Sequence, residues 1–321
     1  MTERAPIVVP MRSSAIAVSG LRKAFGDKTV LDGIDFDVPA GTIFSLLGPN
    51  GAGKTTTVNV LTTLMKADGG TVRVAGHDLA TGAKAIRAAI GVTGQFAAVD
   101  ELLTGRENLQ LMVDLSRAPG VGEATVAELL KRFDLVDSAD KPASTYSGGM
   151  RRKLDLAMTL VGNPQIIFLD EPTTGLDPRS RRTMWSIIRE LVADGVTIFL
   201  TTQYLEEADQ LADRVAVLDQ GRLVAQGTPA ELKRQIPGTH VRLLFGTAAR
   251  LDAAARLFAD ATRDDEALIL RVPSDGGTTS LRALLDRLDE YALSAEEFSV
   301  HTPDLDDVFL ALTGHTTEAA K

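Results

Sequence analysis

Eight consecutive residues, GPNGAGKT from Gly48 to Thr55, carry the strongest chemical signal in this sequence: a glycine, four residues, then Gly-Lys-Thr. Gly48, Gly51 and Gly53 allow successive backbone N–H groups to turn inward around an anion, and the helix that follows adds positive potential at its N-terminus. Lys54 then reaches β and γ phosphates, and the Thr55 hydroxyl is placed to ligate Mg²⁺. The intervening Pro49, Asn50 and Ala52, with Thr56 one residue on, complete the cradle. ATP with Mg²⁺ is the expected ligand. A Gly-rich turn capping a helix is the plain alternative, but it does not call for Lys-Thr at that spacing.

Two further stretches add chemistry. IIFLDEP, 166–172, is an apolar run ending in two carboxylates. In a parallel α/β sheet, ligands collect at the C-terminal ends of strands. Asp170 is then placed to hold Mg²⁺, directly or through water, and Glu171 to orient and deprotonate an attacking water. Without a phosphate loop nearby, two acids after a strand would read as a helix cap or a solvated edge. YSGGMRRKLDLA, 146–157, sets Ser147, Gly148, Gly149 and Met150 at the start of an amphipathic helix, and we read Ser147 to Gly149 as a backbone nest forming a second anion site. One nucleotide can serve both anion sites only if they come from two subunits.

The surrounding sequence supplies the elements that must hold these residues. From Ala15, three β-rich segments, AIAVSGLRKAF, TVLDGIDFDV and GTIFSLLG, predict an antiparallel opening, the third running straight into the phosphate loop. Residues 100–143 lack β-branched runs and carry helical spacing, with Leu102, Leu109, Val113, Leu129, Leu130 and Phe133 as apolar stripes, so they read as a helical insertion. Strands at 165–169, 196–200 and 214–218 alternate with helices at 178–193 and 205–212, which argues a parallel sheet. Beyond a closing helix in GTPAELKRQI, strands HVRLLF, ALILRV and EFSVHT interleave with helices at 248–259 and 280–291. PDLDDVFLALTG ends the ordered chain as a short helix with an acidic start.

Composition fits such a protein and excludes others. The 321 residues exceed one ordinary core, and 44% hydrophobic with 24% charged residues is the balance of a globular protein. Net charge is −9, which argues against a broad nucleic-acid surface. With no cysteine there are no disulfides or thiolate metal sites. No run approaches the roughly 18 apolar residues of a membrane span, so a membrane role would be borrowed from a partner. The first residues, broken by Pro6 and Pro10, read as a loose tail without a secretory signal, and Met11 offers a second start.

Taken together, these motifs resemble the ATP-binding subunits of ABC transporters. Ser147 lies 23 residues before Asp170, the family spacing between signature motif and strand carboxylate. The resemblance runs over about residues 16–235 and implies an α/β fold of the ABC-type P-loop NTPase class: a RecA-like core, an antiparallel β subdomain and a helical subdomain. The expected domains are a tail at 1–14, the ATPase domain at 15–236 with its helical subdomain at about 96–160, a small α+β accessory domain at 237–314, and a tail at 315–321. The resemblance implies a head-to-tail dimer, homodimeric or pseudo-dimeric, with ATP between Lys54 of one subunit and Ser147 of the other. It makes Gln95 a loop glutamine reaching Mg²⁺ and water and sensing a membrane partner, Phe25 an adenine-stacking aromatic, and Asp177 part of the dimer-spanning loop. For Phe25 a core position is the alternative; for Asp177, a helix start before Pro178. One position departs: Gln203 stands where most members carry His, and it can donate a hydrogen bond but cannot carry a proton. That departure, with VTGQFAAVDELLTGRENL and the YSGGMRRKLDLA signature, resembles the daunorubicin/doxorubicin-resistance branch of exporters. The implied protein is an ATPase at the cytoplasmic face of the membrane, coupled to a separate membrane-spanning permease. A soluble ABC ATPase acting on ribosomes or DNA would more often fuse two cassettes or insert coiled coils, and a non-hydrolysing regulator would not need Glu171.

Overall fold

The computed structural model describes residues 13–94, 98–116, 122–235, 239–275, 277–301 and 303–313. It opens with strands β1 (Ser14–Phe25) and β2 (Lys28–Pro39), paired antiparallel through a two-residue hairpin turn. The third β-rich segment is the short buried strand expected before the phosphate loop, but its pairing departs from the antiparallel expectation. β3 (Ile43–Leu47) joins a separate sheet, parallel to its neighbours, because all five of its residues are buried. A strand covered on both faces belongs in the middle of an α/β sheet, not in a half-exposed hairpin.

After β3 the chain passes through the Gly48 loop into α1 (Lys54–Leu61), then returns to the first sheet as β4 (Gly69–Val74) and β5 (His77–Asp78). A short helix α2 (Ala83–Ala89) leads to β6 (Ile90–Thr93). The helical insertion holds α3 (Gly105–Leu115), α4 (Glu123–Arg132) and α5 (Gly148–Leu160). Leu109, Val113, Leu129, Leu130 and Phe133 are buried there, but Leu102 is 90% exposed. Leu102 precedes α3, which starts at a Thr104–Glu107 capping box, so the apolar stripe of that helix does not include it.

The second half alternates β7 (Ile166–Asp170), α6 (Pro178–Ala193), β8 (Thr197–Thr202), α7 (Leu205–Leu211) and β9 (Arg214–Asp219), closing with an antiparallel edge strand β10 (Arg222–Gly227). The sheet order is β10-β9-β3-β8-β7-β6. Period-two alternation splits its side chains between two cores. Phe44, Phe168 and Phe199 pack toward the antiparallel sheet, where Phe36 joins them at ring separations of 5.3–5.8 Å. Ile167, Leu169, Ile198 and Leu200 face the helices, Trp185 and Ile188 among them.

The chain divides into two compact units between Pro229 and Ala230, at the start of α8 (Pro229–Gln235). The second unit contains β11 (His240–Leu244), α9 (Ala248–Leu257), β12 (Thr262–Asp264), β13 (Ile269–Pro273), α10 (Thr278–Glu290), β14 (Glu297–His301) and α11 (Leu305–Thr313). Its antiparallel sheet, ordered β12-β13-β11-β14, has its own core of Val241, Leu243, Phe245, Leu251, Leu270, Val272, Leu284 and Leu288.

Candidate functional site

Four neighbouring parallel strands bring their C-terminal ends together. β3 leads into the Gly48 loop, β8 into Gln203, β7 into Asp170 and Glu171, and β6 toward Gln95. Register fixes the alignment, since Leu47 pairs with Thr202 and Thr201 with Asp170. The Gly48 N–H donates to the Thr202 carbonyl at 3.2 Å, which binds the phosphate loop to the strand that carries Gln203. Gln95 itself lies outside the described residues.

The loop needs its glycines for space and for backbone angle. A Cβ at Gly48 would stand 2.2 Å from the Leu218 carbonyl oxygen, and one at Gly53, whose φ is 113°, would stand 2.7 Å from Leu31 Cδ2. Gly53 caps α1 without a side-chain hydrogen bond, so the first N–H groups of the helix are left for an anion. Lys54 is 4% exposed and folds back over the loop, with Nζ donating to Gly48 O at 2.7 Å and Pro49 O at 3.1 Å and lying 3.4 Å from Glu171 Oε1. Burial pulls its pKa below the ordinary lysine value, while the carboxylates of Glu171 and Asp170 oppose that shift. Ala52 is buried with it, Thr56 is half-buried, and Gly51 and Thr55 are exposed.

Across the loop, Asp170 accepts the Thr201 hydroxyl at 2.5 Å. Glu171 is buried and its backbone is left-handed, φ 50°, with its N–H donating to Thr201 O at 3.1 Å. Held conformations of this kind cost about 1–3 kcal/mol and concentrate at functional sites. A metal held by Thr55 and Asp170 suits this donor set, since Mg²⁺ typically takes one or two protein oxygens and leaves the rest to phosphate and water. Asp170 and Thr55 thus fit a magnesium–nucleotide ligand, although among the described residues no three His, Asp or Glu cluster as a cage.

The remaining expected residues lie at a hairpin end or at helix starts. Phe25 is 50% exposed at the β1–β2 hairpin, with Lys23 Nζ 5.5 Å from its ring centroid, so it is not a core phenylalanine. Ser147 caps α5 by accepting Met150 N–H at 3.2 Å. Gly148 and Gly149 form the first turn of that helix, and neither has a left-handed backbone. Asp177 caps α6, accepting the N–H groups of Arg179 at 3.0 Å and Ser180 at 2.9 Å. The Ser180 hydroxyl and N–H hold its carboxyl below the usual range. Sequence reasoning missed Thr201, Glu207 and Arg152, whose partners come from distant segments. Glu207, fully buried, accepts from Thr173 Oγ1 at 2.8 Å and Trp185 Nε1 at 3.1 Å. A charged residue at a helical position facing the core, as Arg152 is in YSGGMRRKLDLA, is the signal that could have found it.

Comparison with known proteins agrees with this geometry. The profile of the family described as ABC transporter matches residues 31–174. The chain is 48% identical over 307 residues to the daunorubicin resistance ATP-binding protein DrrA3 of Streptomyces coeruleorubidus, spanning 95% of this chain and 97% of that protein. It is 48% identical over 313 residues to the daunorubicin/doxorubicin resistance ATP-binding protein DrrA of Streptomyces peucetius, spanning 95% and 94%. Among solved structures, a dimeric ATP-binding cassette in a post-hydrolysis state, bound to ADP and Pi, matches with a TM-score of 0.60 at 25% identity, covering 66% of this chain and 98% of that one. With the phosphate loop, the strand carboxylates and the helical insertion in their places, this chain belongs to the ABC transporter family, as an ATP-binding subunit that hydrolyses ATP.

Proposed function

We propose that this subunit powers export of drug-like or lipid-like compounds through a separate membrane-spanning permease, as one half of an ATPase dimer at the cytoplasmic face of the membrane. Relatives named for daunorubicin and doxorubicin resistance support the cargo class. Among the described residues no helix is long and apolar enough to cross a membrane, which agrees with a pathway supplied by a partner. Residues 237–314 serve as an accessory domain, and the segment around 100–108 as part of the permease contact.

The observation that carries the catalytic reading is the approach of Lys54 to Glu171, 3.4 Å, across two strand ends. Binding of ATP exchanges the loop carbonyls on Lys54 for β and γ phosphate oxygens, a charge-assisted replacement for neutral acceptors. Residues Gly48 to Thr56 cradle the phosphates and Phe25 stacks on the adenine. Thr55, Asp170 and Gln95 would hold Mg²⁺, which would supply neutralisation of phosphate charge. Glu171 takes a proton from the attacking water, and Gln203 donates a hydrogen bond to the γ-phosphate. Ser147, Gly148, Gly149 and Met150 are exposed or half-buried at the start of α5, available to a second subunit's nucleotide, with Asp177 beside them in the dimer contact.

The test is Glu171→Gln. It leaves the cradle intact and removes the base, so turnover should vanish while ATP with Mg²⁺ traps a dimer on sizing chromatography. Hydrolysis at the parent rate would overturn the assignment, and capture of a membrane-spanning subunit from membranes by the tagged chain checks the coupling.

A further inference from the structure

Arg152 lies on α5, one turn beyond the Ser147 cap, and is 8% exposed. Its five N–H bonds meet five acceptors. Nε donates to Pro172 O at 3.0 Å; Nη1 donates to Gly94 O at 2.7 Å and Asp155 Oδ2 at 3.4 Å; Nη2 donates to Asp170 O at 3.2 Å and Glu171 O at 3.3 Å. Asp155, one further turn along and 2% exposed, uses its other oxygen to accept the Ala98 N–H at 2.9 Å. Burial lowers the arginine's pKa and raises that of the aspartate, each opposed by its partner.

Three segments distant in sequence thus converge on one ion pair: the signature helix, the 170–172 turn, and the residues on either side of 95–97. Buried ion pairs are poor sources of stability, because desolvation offsets their attraction. What this pair supplies is geometry. Glu171 sits in a left-handed backbone held at its N–H by Thr201 and at its carbonyl by Arg152. Neither Arg152 nor Asp155 bonds to the phosphate loop among the described residues.

We propose that Arg152 and Asp155 are positioning residues for hydrolysis: they fix the backbone turn that aims Glu171 and tie Gly94 and Ala98 to the helix capped by Ser147. The proposal rests on the reading of Glu171 as the base. It predicts loss of kcat with little change in KM, because the pair touches the backbone behind the carboxylate and not the nucleotide cradle. Lysine cannot replace the arginine, since one ammonium cannot span five acceptors on three segments.

The full chain carrying Arg152→Gln, Arg152→Lys or Asp155→Asn is compared with the parent and with Glu171→Gln. Steady-state ATPase against ATP concentration, affinity for a fluorescent ATP analogue, and melting temperature are read for each. Arg152→Gln should lower kcat about tenfold or more, with KM and analogue affinity within about threefold. Arg152→Lys should recover only part of that loss. Asp155→Asn keeps the volume and an acceptor for Ala98 but loses the ion pair, and should lower kcat about threefold to tenfold, again at unchanged KM. If Arg152→Gln does not fold, Asp155→Asn carries the test alone. Unchanged kcat in the folded variants, or a fall in kcat matched by equal losses of analogue affinity and melting temperature, overturns the proposal while leaving Glu171 as base. Parent-rate hydrolysis by Glu171→Gln overturns both.

Discussion

Two of the helix starts built with glycine, those of α1 and α5, are finished differently. At α1 the loop is locked from within: Ala52, Gly53 and Lys54 are buried, Gly48 is pressed against Leu218, and the lysine is satisfied by its own loop and by Glu171. At α5 the first turn is capped by Ser147, faces solvent at Ser147 and Gly148, and meets the interior where a Cβ on Gly149 would stand 2.7 Å from Ser180 Oγ. An uncapped, enclosed helix N-terminus is a pocket; a capped, exposed one is a face. The difference fits the reading proposed above, in which one start holds the phosphates and the other is offered to a second subunit.

The largest effect should come from the enclosed start. Lys54→Ala removes the only charge built into the cradle, and turnover should fall by about 100-fold or more, a loss of roughly 2.7 kcal/mol in transition-state stabilisation. An unaltered ATPase rate would break the comparison at its root. Next is Gln203, the neutral residue at the end of β8. If a donated hydrogen bond is what the position requires, Gln203→His stays within about tenfold of the parent, about 1.4 kcal/mol, and Gln203→Ala loses more than that. Equal rates for Gln203→Ala and the parent, measured with the membrane partner present, would remove Gln203 from the site.

The exposed start gives a smaller effect of a different kind. Gly149→Val must displace Ser180 and so shift the first turn of α5, the start proposed to meet a second subunit, so turnover should drop by about tenfold. Binding of a fluorescent ATP analogue to the single chain should not change, because the enclosed cradle is untouched. Parallel loss of both would show that the two starts are not separate sites.

How much of this was legible follows from where the information lies. The phosphate loop, Asp170, Glu171 and the bounds of α6 at Pro178–Ala193 are contiguous motifs with caps and periodicity of their own, and the sequence shows them directly. The sheet to which β3 belongs, the left-handed turn at Glu171 and the five acceptors of Arg152 depend on partners far away in sequence, at Thr202, Thr201 and Gly94. Periodicity says which face of an element is apolar but not what meets it. Leu102 shows the opposite error: it shares a stripe with Leu109 on paper, yet it precedes the capping box that starts α3.

The smallest effect tests the buried link between the two regions. α6 begins against Gly149 and, two turns in, its Trp185 donates to Glu207 on α7, the helix that follows Gln203. Burial raises the Glu207 carboxyl above its ordinary value of 4.5, with hydrogen bonds from Thr202, Thr173 and Trp185 and the charge of Arg181 opposing it. The folded chain therefore holds this proton to higher pH than the unfolded chain does. That contribution to stability is complete below 4.5 and is lost as pH rises through the folded value, at up to about 1.4 kcal/mol per pH unit. Glu207→Gln keeps an oxygen for Thr173 and Trp185 but has no proton to lose. The variant's melting temperature should gain on the parent's between pH 5 and pH 7.5, by roughly 2–4 °C for each kcal/mol. The emission of Trp185, the one tryptophan in the sequence, should stay constant over that range in the variant. A gap in melting temperature that stays flat or narrows with pH would mean that Glu207 is ionised in the fold, and that the link between α6 and α7 is an ion-pair network with Arg181 and not a neutral hydrogen bond.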